Sequence, residues 1–131
     1  MTIHQKWCNI MDKKWVVLYY QTGDGHCEVE KFIDSLSVRN QTKVFNWISA
    51  LEEYGPHLPR PFADLVEDGI HELRLKLSGN QYRMLYFFCY GDYIILSHAF
   101  RKSVDKIPAA EIHKAQKNRC DYLQRHTQIS L

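Results

Sequence analysis

Three strand-length runs in the second half of the chain, separated by tight turns, constrain the fold more than any other feature. Residues 70–77, 81–89 and 93–100 are rich in aromatic and branched side chains, and the first run alternates polar with apolar positions. Ser78-Gly79-Asn80 and Gly91-Asp92 are turn-forming sequences between these runs. Because turns this short join neighbouring antiparallel strands, the sequence predicts an antiparallel meander.

The first half of the chain carries one strand signal and two helix signals. Residues 15–20 are aromatic and β-branched, which favours a strand. Residues 27–37 place apolar side chains at i, i+3, i+4 and i+7, and a second helical pattern over residues 39–54 ends at Gly55-Pro56. We expect these two helices to form an antiparallel hairpin, followed by an irregular, proline-containing connector over residues 57–61.

The end of the chain completes a simple architecture. Pro108 suits the first turn of a final helix that extends to about residue 125. The predicted order is β-α-α-β-β-β-α, an α+β fold in which an N-terminal helical hairpin and a C-terminal helix pack a small antiparallel sheet. A chain of 131 residues fits one such domain. We therefore expect a single domain over residues 15–126, preceded by a loose N-terminal extension over residues 1–14.

What the sequence lacks excludes several classes of protein. No segment has the roughly 18 consecutive apolar residues that span a bilayer, and polar residues interrupt the N-terminus where a signal peptide is apolar. The cysteines form no C-x-x-C pair, the histidines form no H-x-x-x-H pair, and there is no Gly-rich phosphate loop. We therefore expect a cytoplasmic protein with no membrane partner, no metal and no small-molecule cofactor.

The distribution of charge is more informative than its total of +2. Residues 1–69 carry a net charge of −3, residues 70–106 a net charge of +3, and residues 107–131 a net charge of +2. The positive charge thus lies on the predicted sheet and final helix, where it could attract phosphate. An ordinary solvated surface is the alternative interpretation.

The first strand of the meander places basic side chains on one face of the sheet. Strand alternation directs Glu72, Arg74 and Lys76 away from the leucines that alternate with them. The next strand contributes Arg83 within an aromatic run. Two interpretations remain open: Arg83 forms an ion pair with Glu72 across the strands, or Arg74 and Arg83 together grip a phosphate.

The third strand of the meander ends in a titratable and basic segment. His98, Arg101 and Lys102 follow one another closely, and histidine is the usual proton-transfer group near neutral pH. If the strand stays regular, His98 shares its face with Leu96 and Phe100, which favours a semi-buried structural histidine over a catalytic one.

A basic sheet surface without paired carboxylates or metal ligands suits one reaction in particular. An RNA 2′-hydroxyl can attack its own phosphodiester when one group removes its proton and others stabilise the charge that develops on the phosphate. Arginine and lysine provide that stabilisation as preorganised positive charge. The products of such a cleavage are a 2′,3′-cyclic phosphate and a free 5′-hydroxyl, and the chemistry requires no metal.

Three motifs in sequence carry a family resemblance. Residues 68–74 are D-G-I-H-E-L-R, residues 81–87 are Q-Y-R-M-L-Y-F, and residues 96–100 are L-S-H-A-F, followed by Lys102, Lys106 and Pro108. Together they resemble the phage-derived, HigB-like branch of the RelE/ParE toxin superfamily, in which three such segments occur in this order. The resemblance extends over about residues 15–124.

The resemblance implies the toxin of a type II toxin–antitoxin system. Such a toxin is an mRNA interferase, an RNA-binding endoribonuclease that cleaves mRNA on the ribosome, and its partner is a cognate helix-turn-helix antitoxin. The implied catalytic set is Arg74, Arg83, His98 and Lys102, and Lys106 also belongs to the motif. With the strand residues Lys76 and Arg101, Lys106 forms the expected further RNA-binding set.

Some features of the sequence keep alternatives open. Ser103 and Asp105 depart from the family pattern and lower the local positive charge. His98, Lys102 and Tyr86 are all candidates for the proton acceptor. A ParE-like toxin that binds a partner or poisons gyrase, and an inactive prophage remnant, are the alternatives to the nuclease.

Overall fold

The computed structural model of the protein describes residues 15–127, and the predicted extension over residues 1–14 lies outside the described residues. The fold is α+β, as the sequence predicts, and these residues form a five-stranded mixed sheet and three helices. The elements in chain order are β1 (Val16–Tyr19), α1 (Glu28–Asp34), α2 (Val38–Tyr54), a 3₁₀ turn (Gly55–His57), β2 (Ala63–Glu67), β3 (Ile70–Leu77), β4 (Asn80–Cys89), β5 (Tyr93–Arg101) and α3 (Ala109–Arg125).

The strands lie in the order β1-β5-β4-β3-β2, and the predicted meander forms its centre. Two features differ from the expectation of a purely antiparallel, four-stranded sheet. β1 pairs with β5 in parallel, and the helical hairpin that follows β1 carries the chain across one face of the sheet to the opposite edge. β2 is an additional edge strand, antiparallel to β3. Its sequence signal is weak because it is short and follows two prolines.

The helices cover the two faces of the sheet unequally. The first face packs against α1 and α2, and its buried side chains include Leu73, Leu75, Met84, Tyr86 and Leu96. We call it the hairpin face. The second face packs against α3 through Ile70, Leu85, Phe87, Ile95, Ala115 and Tyr122. None of the helices in the described part of the chain is long and apolar enough to cross a membrane.

A β-bulge in β5 changes which face His98 occupies. Leu85 lies opposite His98 whereas Tyr86 lies opposite Leu96, so Ser97 is the extra residue. One inserted residue reverses the alternation of every side chain after it. His98 therefore lies on the face that α3 covers, together with Phe100 but not with Leu96. The prediction that His98 shares a face with Leu96 was wrong because it assumed a regular strand.

Candidate functional site

The polar side chains of β3 and β4 meet on the face that carries α3. Arg74 lies directly opposite Arg83 in the β3–β4 register, and alternation places Glu72 on the same face. Two like charges directly opposite one another on neighbouring strands repel. An intervening negative charge is therefore needed to hold this pair together.

Glu72 supplies that charge with a single oxygen atom. Its Oε1 accepts a hydrogen bond from Arg74 Nε at 3.1 Å and lies 2.9 Å from Arg83 Nε. The second contact is an ion pair without a well-aligned hydrogen bond, since Arg83 Nε donates to no acceptor. The ion pair between Glu72 and Arg83, one of the two interpretations that the sequence left open, is thus present, and Arg74 shares the same carboxylate.

The ion pairs continue outward to the edge strand. Asp64 Oδ2 on β2 lies 3.7 Å from Arg74 Nη2 and 2.8 Å from Arg60 Nη2. Hydrogen bonding from Arg60 lowers the pKa of Asp64. Three arginines therefore alternate with two carboxylates, which leaves one positive charge in excess.

The two opposed arginines differ in their access to solvent. The Arg83 side chain is 9% exposed and also donates Nη1 to the Tyr82 carbonyl oxygen at 2.9 Å. Burial lowers the pKa of Arg83, and the charge of Glu72 opposes that shift. The Arg74 side chain is 33% exposed. Arg74 is consequently the member of the pair that is better able to contact a ligand.

A cleft of about 450 Å³ opens over these residues, between the β2–β3 edge and the start of α3. It brings together four of the predicted site residues, Arg74, Arg83, Lys102 and Lys106. Three carboxylates, Glu67, Glu72 and Asp105, also line it. The sequence did not indicate Glu67 as a site residue. Glu67 is the last residue of β2, and because β2 was not predicted, Glu67 could not be placed beside β3. A larger concavity of about 660 Å³ follows the edge of β1 and contains none of the predicted site residues.

His98 lies beneath this surface and does not line the cleft. It is 1% exposed, and its Nδ1 lies 2.8 Å from Ser97 Oγ while its Nε2 lies 3.0 Å from Glu111 Oε1 on α3. Burial and the charge of Lys114 lower the pKa of His98, and Glu111 opposes them. With both ring nitrogens engaged, His98 makes no contact with the cleft in the described structure.

Tyr86 is also remote from the cleft. It is buried on the hairpin face, where its ring stacks on His71 at a centroid distance of 5.4 Å. Burial raises the pKa of Tyr86 far above its ordinary value. Of the three candidate proton acceptors, Lys102 is the one that lines the cleft.

The remaining predicted RNA-binding residues lie outside the cleft. Lys76 lines a second concavity of about 300 Å³, together with Arg39 and Lys43 of α2. Arg101 is exposed and donates Nη2 to Asn80 Oδ1 at 3.0 Å. Among the described residues there is no cluster of three or more histidine, cysteine, aspartate or glutamate side chains that could hold a metal ion.

The chain matches the model of a known protein family. The family model described as "Phage derived protein Gp49-like (DUF891)" matches residues 31–119, which run from α1 into α3 and include every lining residue of the cleft. No curated protein matches the chain.

Proposed function

Because the chain belongs to the Gp49-like family of phage-derived proteins, within the RelE/ParE-like toxin superfamily, we propose that it is the toxin of a type II toxin–antitoxin system. In this proposal it is a metal-independent endoribonuclease that cleaves mRNA on the ribosome. The observation that carries the proposal is the convergence of Arg74, Arg83, Lys102 and Lys106 on one open cleft with an excess of positive charge.

The proposed reaction is a transesterification within the RNA. The 2′-oxygen loses its proton to a base and bonds to phosphorus, the bond from phosphorus to the 5′-oxygen breaks, and that oxygen takes up a proton from water in the open cleft. The products are a 2′,3′-cyclic phosphate and a 5′-hydroxyl. Negative charge builds up on the phosphate oxygens in the transition state, where preorganised cations are most effective. Arg74 and Lys102 contact those oxygens, Lys106 binds adjacent RNA, and Arg83 adds charge from the buried position that Glu72 fixes.

The proton of the 2′-hydroxyl requires an acceptor at the cleft. Because Lys102 acts in this proposal as a cation on the phosphate oxygens, we assign the acceptor role to the carboxylates Glu67 and Asp105 in its place. Both carboxylates line the cleft, and neither forms an ion pair with another described residue. A variant with Glu67→Gln and Asp105→Asn should cleave about 10²–10⁴-fold more slowly, the usual contribution of a general base. Its acidic pH–rate limb should also disappear. Unchanged cleavage would exclude both carboxylates as the acceptor.

His98 has a positioning role in this proposal. Its contacts with Ser97 and Glu111 join the bulge of β5 to the first turn of α3. The segment between those two points carries Lys102 and Lys106 into the cleft. His98 thus acts on the reaction through the placement of these lysines.

The decisive experiment is in vitro translation with the purified protein, followed by primer extension to map breaks in the mRNA. Breaks should form when ribosomes are present and should not form on free mRNA. Lys102→Ala should reduce break formation at least tenfold, whereas Lys117→Ala, a matched exposed lysine on α3, should not. Cleavage at equal rates in both variants would contradict the proposed site.

Substitution of the RNA tests the chemistry independently of the protein. An mRNA with a 2′-deoxy nucleotide at the mapped break should remain intact, because the attacking oxygen is absent. Growth inhibition with intact mRNA would instead favour a ParE-like toxin that poisons gyrase. A folded protein with neither effect would be an inactive prophage remnant.

The proposed protein partner is a cognate helix-turn-helix antitoxin, in keeping with a family of toxins that are paired with antitoxins. A neighbouring reading frame that encodes such a protein should suppress growth inhibition when the two are co-expressed. Failure to suppress would reject that frame as the antitoxin and leave the nuclease proposal to the translation experiment.

A further inference from the structure

A second basic surface lies beside the turn that joins β3 to β4. It is the concavity of about 300 Å³ lined by Arg39, Lys43 and Lys76, which we call the basic concavity. Its shape is held by a hydrogen bond from Asn40 Nδ2 on α2 to Ser78 Oγ in the turn, at 2.9 Å. This bond joins the helix to the hairpin turn at the concavity.

The charges of the basic concavity are not neutralised within the described part of the chain. Arg39, Lys43 and Lys76 form no ion pair with any described residue, and no carboxylate lines the concavity. Other cations are paired: Lys114 with Glu28, and Arg119 with Asp68. Like charges gathered in a concavity raise the local positive potential and favour an anionic partner.

Lys76 of the basic concavity and Lys102 of the cleft lie on either side of one residue of β4. Lys76 lies opposite Gln81 in the β3–β4 register, and the Gln81 carbonyl oxygen accepts a hydrogen bond from the Lys102 backbone N–H at 2.8 Å. Adjacent strands are about 4.8 Å apart, so the backbones of Lys76 and Lys102 are separated by roughly 10 Å. Arg101 donates a hydrogen bond to Asn80, the first residue of β4, and adds a further cation at this end of the sheet.

We propose that the basic concavity binds the sugar-phosphate backbone of RNA beyond the phosphodiester that is cleaved, an inference that rests on the proposed RNA-cleaving function. Its lining contains cations and small polar side chains but no aromatic ring on which a base could stack. Contacts of this kind position an RNA without selecting its sequence. The concavity therefore lengthens the interface with RNA and adds affinity, whereas the cleft holds the reacting phosphate.

The test is a binding measurement that does not depend on cleavage. A fluorescein-labelled 2′-O-methyl RNA of about 12 nucleotides lacks the attacking hydroxyl, and its affinity for the full chain is measured by anisotropy over a series of salt concentrations. The variant with Lys43→Gln and Lys76→Gln should bind more weakly. The plot of log K against log salt has a negative slope, and its magnitude should decrease by about 1.4 in this variant. Each lost phosphate contact on a single strand lowers that magnitude by about 0.7.

A second double variant is the matched control. Lys31→Gln with Lys117→Gln removes the same charge from exposed helical positions that line neither the cleft nor the basic concavity. It should keep the slope of the unmodified protein. Equal slopes for the two double variants would overturn the inference, as would the absence of measurable RNA binding by the unmodified protein.

The outcomes separate this inference from the proposed function. Unchanged RNA binding by the Lys43 and Lys76 variant, together with cleavage in the translation experiment, would reject the basic concavity alone. A reduced slope without any cleavage of unmodified mRNA would reject the nuclease and retain the RNA site. If the variant loses affinity for the antitoxin but binds RNA normally, the concavity serves a protein partner and the inference is wrong.

Discussion

The two faces of the sheet are built from the same strands and have opposite character. On the hairpin face, β3 contributes Leu73, Leu75 and Leu77, all almost completely buried under α1 and α2. On the other face the intervening positions of β3 are charged, with Arg74 part-exposed in the cleft. The difference follows from coverage, because α3 packs over only part of that face and leaves the remainder open to solvent.

This comparison separates the stability of the fold from the chemistry of the site. Burying a leucine side chain contributes roughly 1.5–3 kcal/mol to the free energy of unfolding, so the hairpin face supplies much of the stability. Ion pairs with solvent access contribute about 1 kcal/mol or less. Changes on the hairpin face should therefore alter stability, and changes at the cleft should alter activity.

The largest expected effect is on the hairpin face. Leu75→Ala should lower the free energy of unfolding by about 2–5 kcal/mol, because it leaves a cavity in a closely packed layer. Urea denaturation followed by tryptophan fluorescence measures this change. The rate of mRNA cleavage, normalised to the folded fraction, should stay the same. A lower normalised rate would show that the two faces are coupled.

The second prediction concerns the cleft, where a substitution should lower activity and leave stability nearly unchanged. Arg74→Ala should slow mRNA cleavage about 10²–10³-fold, the usual loss when one preorganised donor is removed from a charged transition state. The free energy of unfolding should change by about 1 kcal/mol or less, since the Arg74 side chain is one-third exposed. Primer extension and urea denaturation on the same preparation measure both quantities.

Arg74→Lys separates the contribution of the positive charge from that of the guanidinium geometry. It keeps the positive charge but loses the planar fork that binds two phosphate oxygens. We expect its cleavage rate to fall between those of Arg74→Ala and the unmodified protein. Full activity in Arg74→Ala would remove Arg74 from the site, whatever the behaviour of the lysine variant.

Local patterns in the sequence predicted most of the fold and part of the site. Alternation along β3 correctly placed Glu72 and Arg74 on one face, and the turns correctly defined the meander. These features depend on near neighbours in the chain. The edge strand β2 was missed because its pairing with β3, rather than its own composition, makes it a strand.

The features that sequence could not predict depend on tertiary contacts. The bulge at Ser97 is joined to α3 through Asn118, which donates Nδ2 to Ser97 Oγ at 3.0 Å. Because that contact links residues 21 positions apart, no local pattern in β5 predicts it. The sharing of one Glu72 oxygen by two arginines also requires the β3–β4 register, whereas the sequence offered only the pair with Arg83, as one of two alternatives.

Glu72→Gln tests whether a buried carboxylate on the charged face also contributes to stability. The amide oxygen can still accept a hydrogen bond, but two guanidinium groups then oppose each other without a compensating charge. The free energy of unfolding should fall by about 2 kcal/mol, less than the full penalty for breaking a buried ion pair. Added salt should recover part of that loss by screening the repulsion.

Asp64→Asn is the matched control for that measurement. It removes a carboxylate from the same series of ion pairs at a position nearer to solvent, so the free energy of unfolding should fall by less than in Glu72→Gln. Equal losses in the two variants would mean that burial does not distinguish Glu72 from Asp64. The charged end of the sheet would then be an ordinary surface network.

The smallest expected effect concerns the pH dependence of stability at the contact between β5 and α3. Burial and Lys114 lower the pKa of His98 below the ordinary value of about 6.5. The unfolded chain therefore binds a proton at this position before the folded chain does. Stability provided by neutral His98 is complete above about pH 6.5 and declines as the pH falls below it.

His98→Gln should accordingly weaken the loss of stability that the unmodified protein shows as the pH falls below about 6.5. Burial also lowers the pKa of His71, but that residue is present in both proteins and its contribution cancels in the difference. Urea denaturation at a series of pH values measures both curves. Parallel curves would show that His98 does not titrate differently on folding.

Because the same histidine connects the bulge to the helix beside the cleft, cleavage at constant folded fraction should also fall in the variant if His98 positions Lys102 and Lys106.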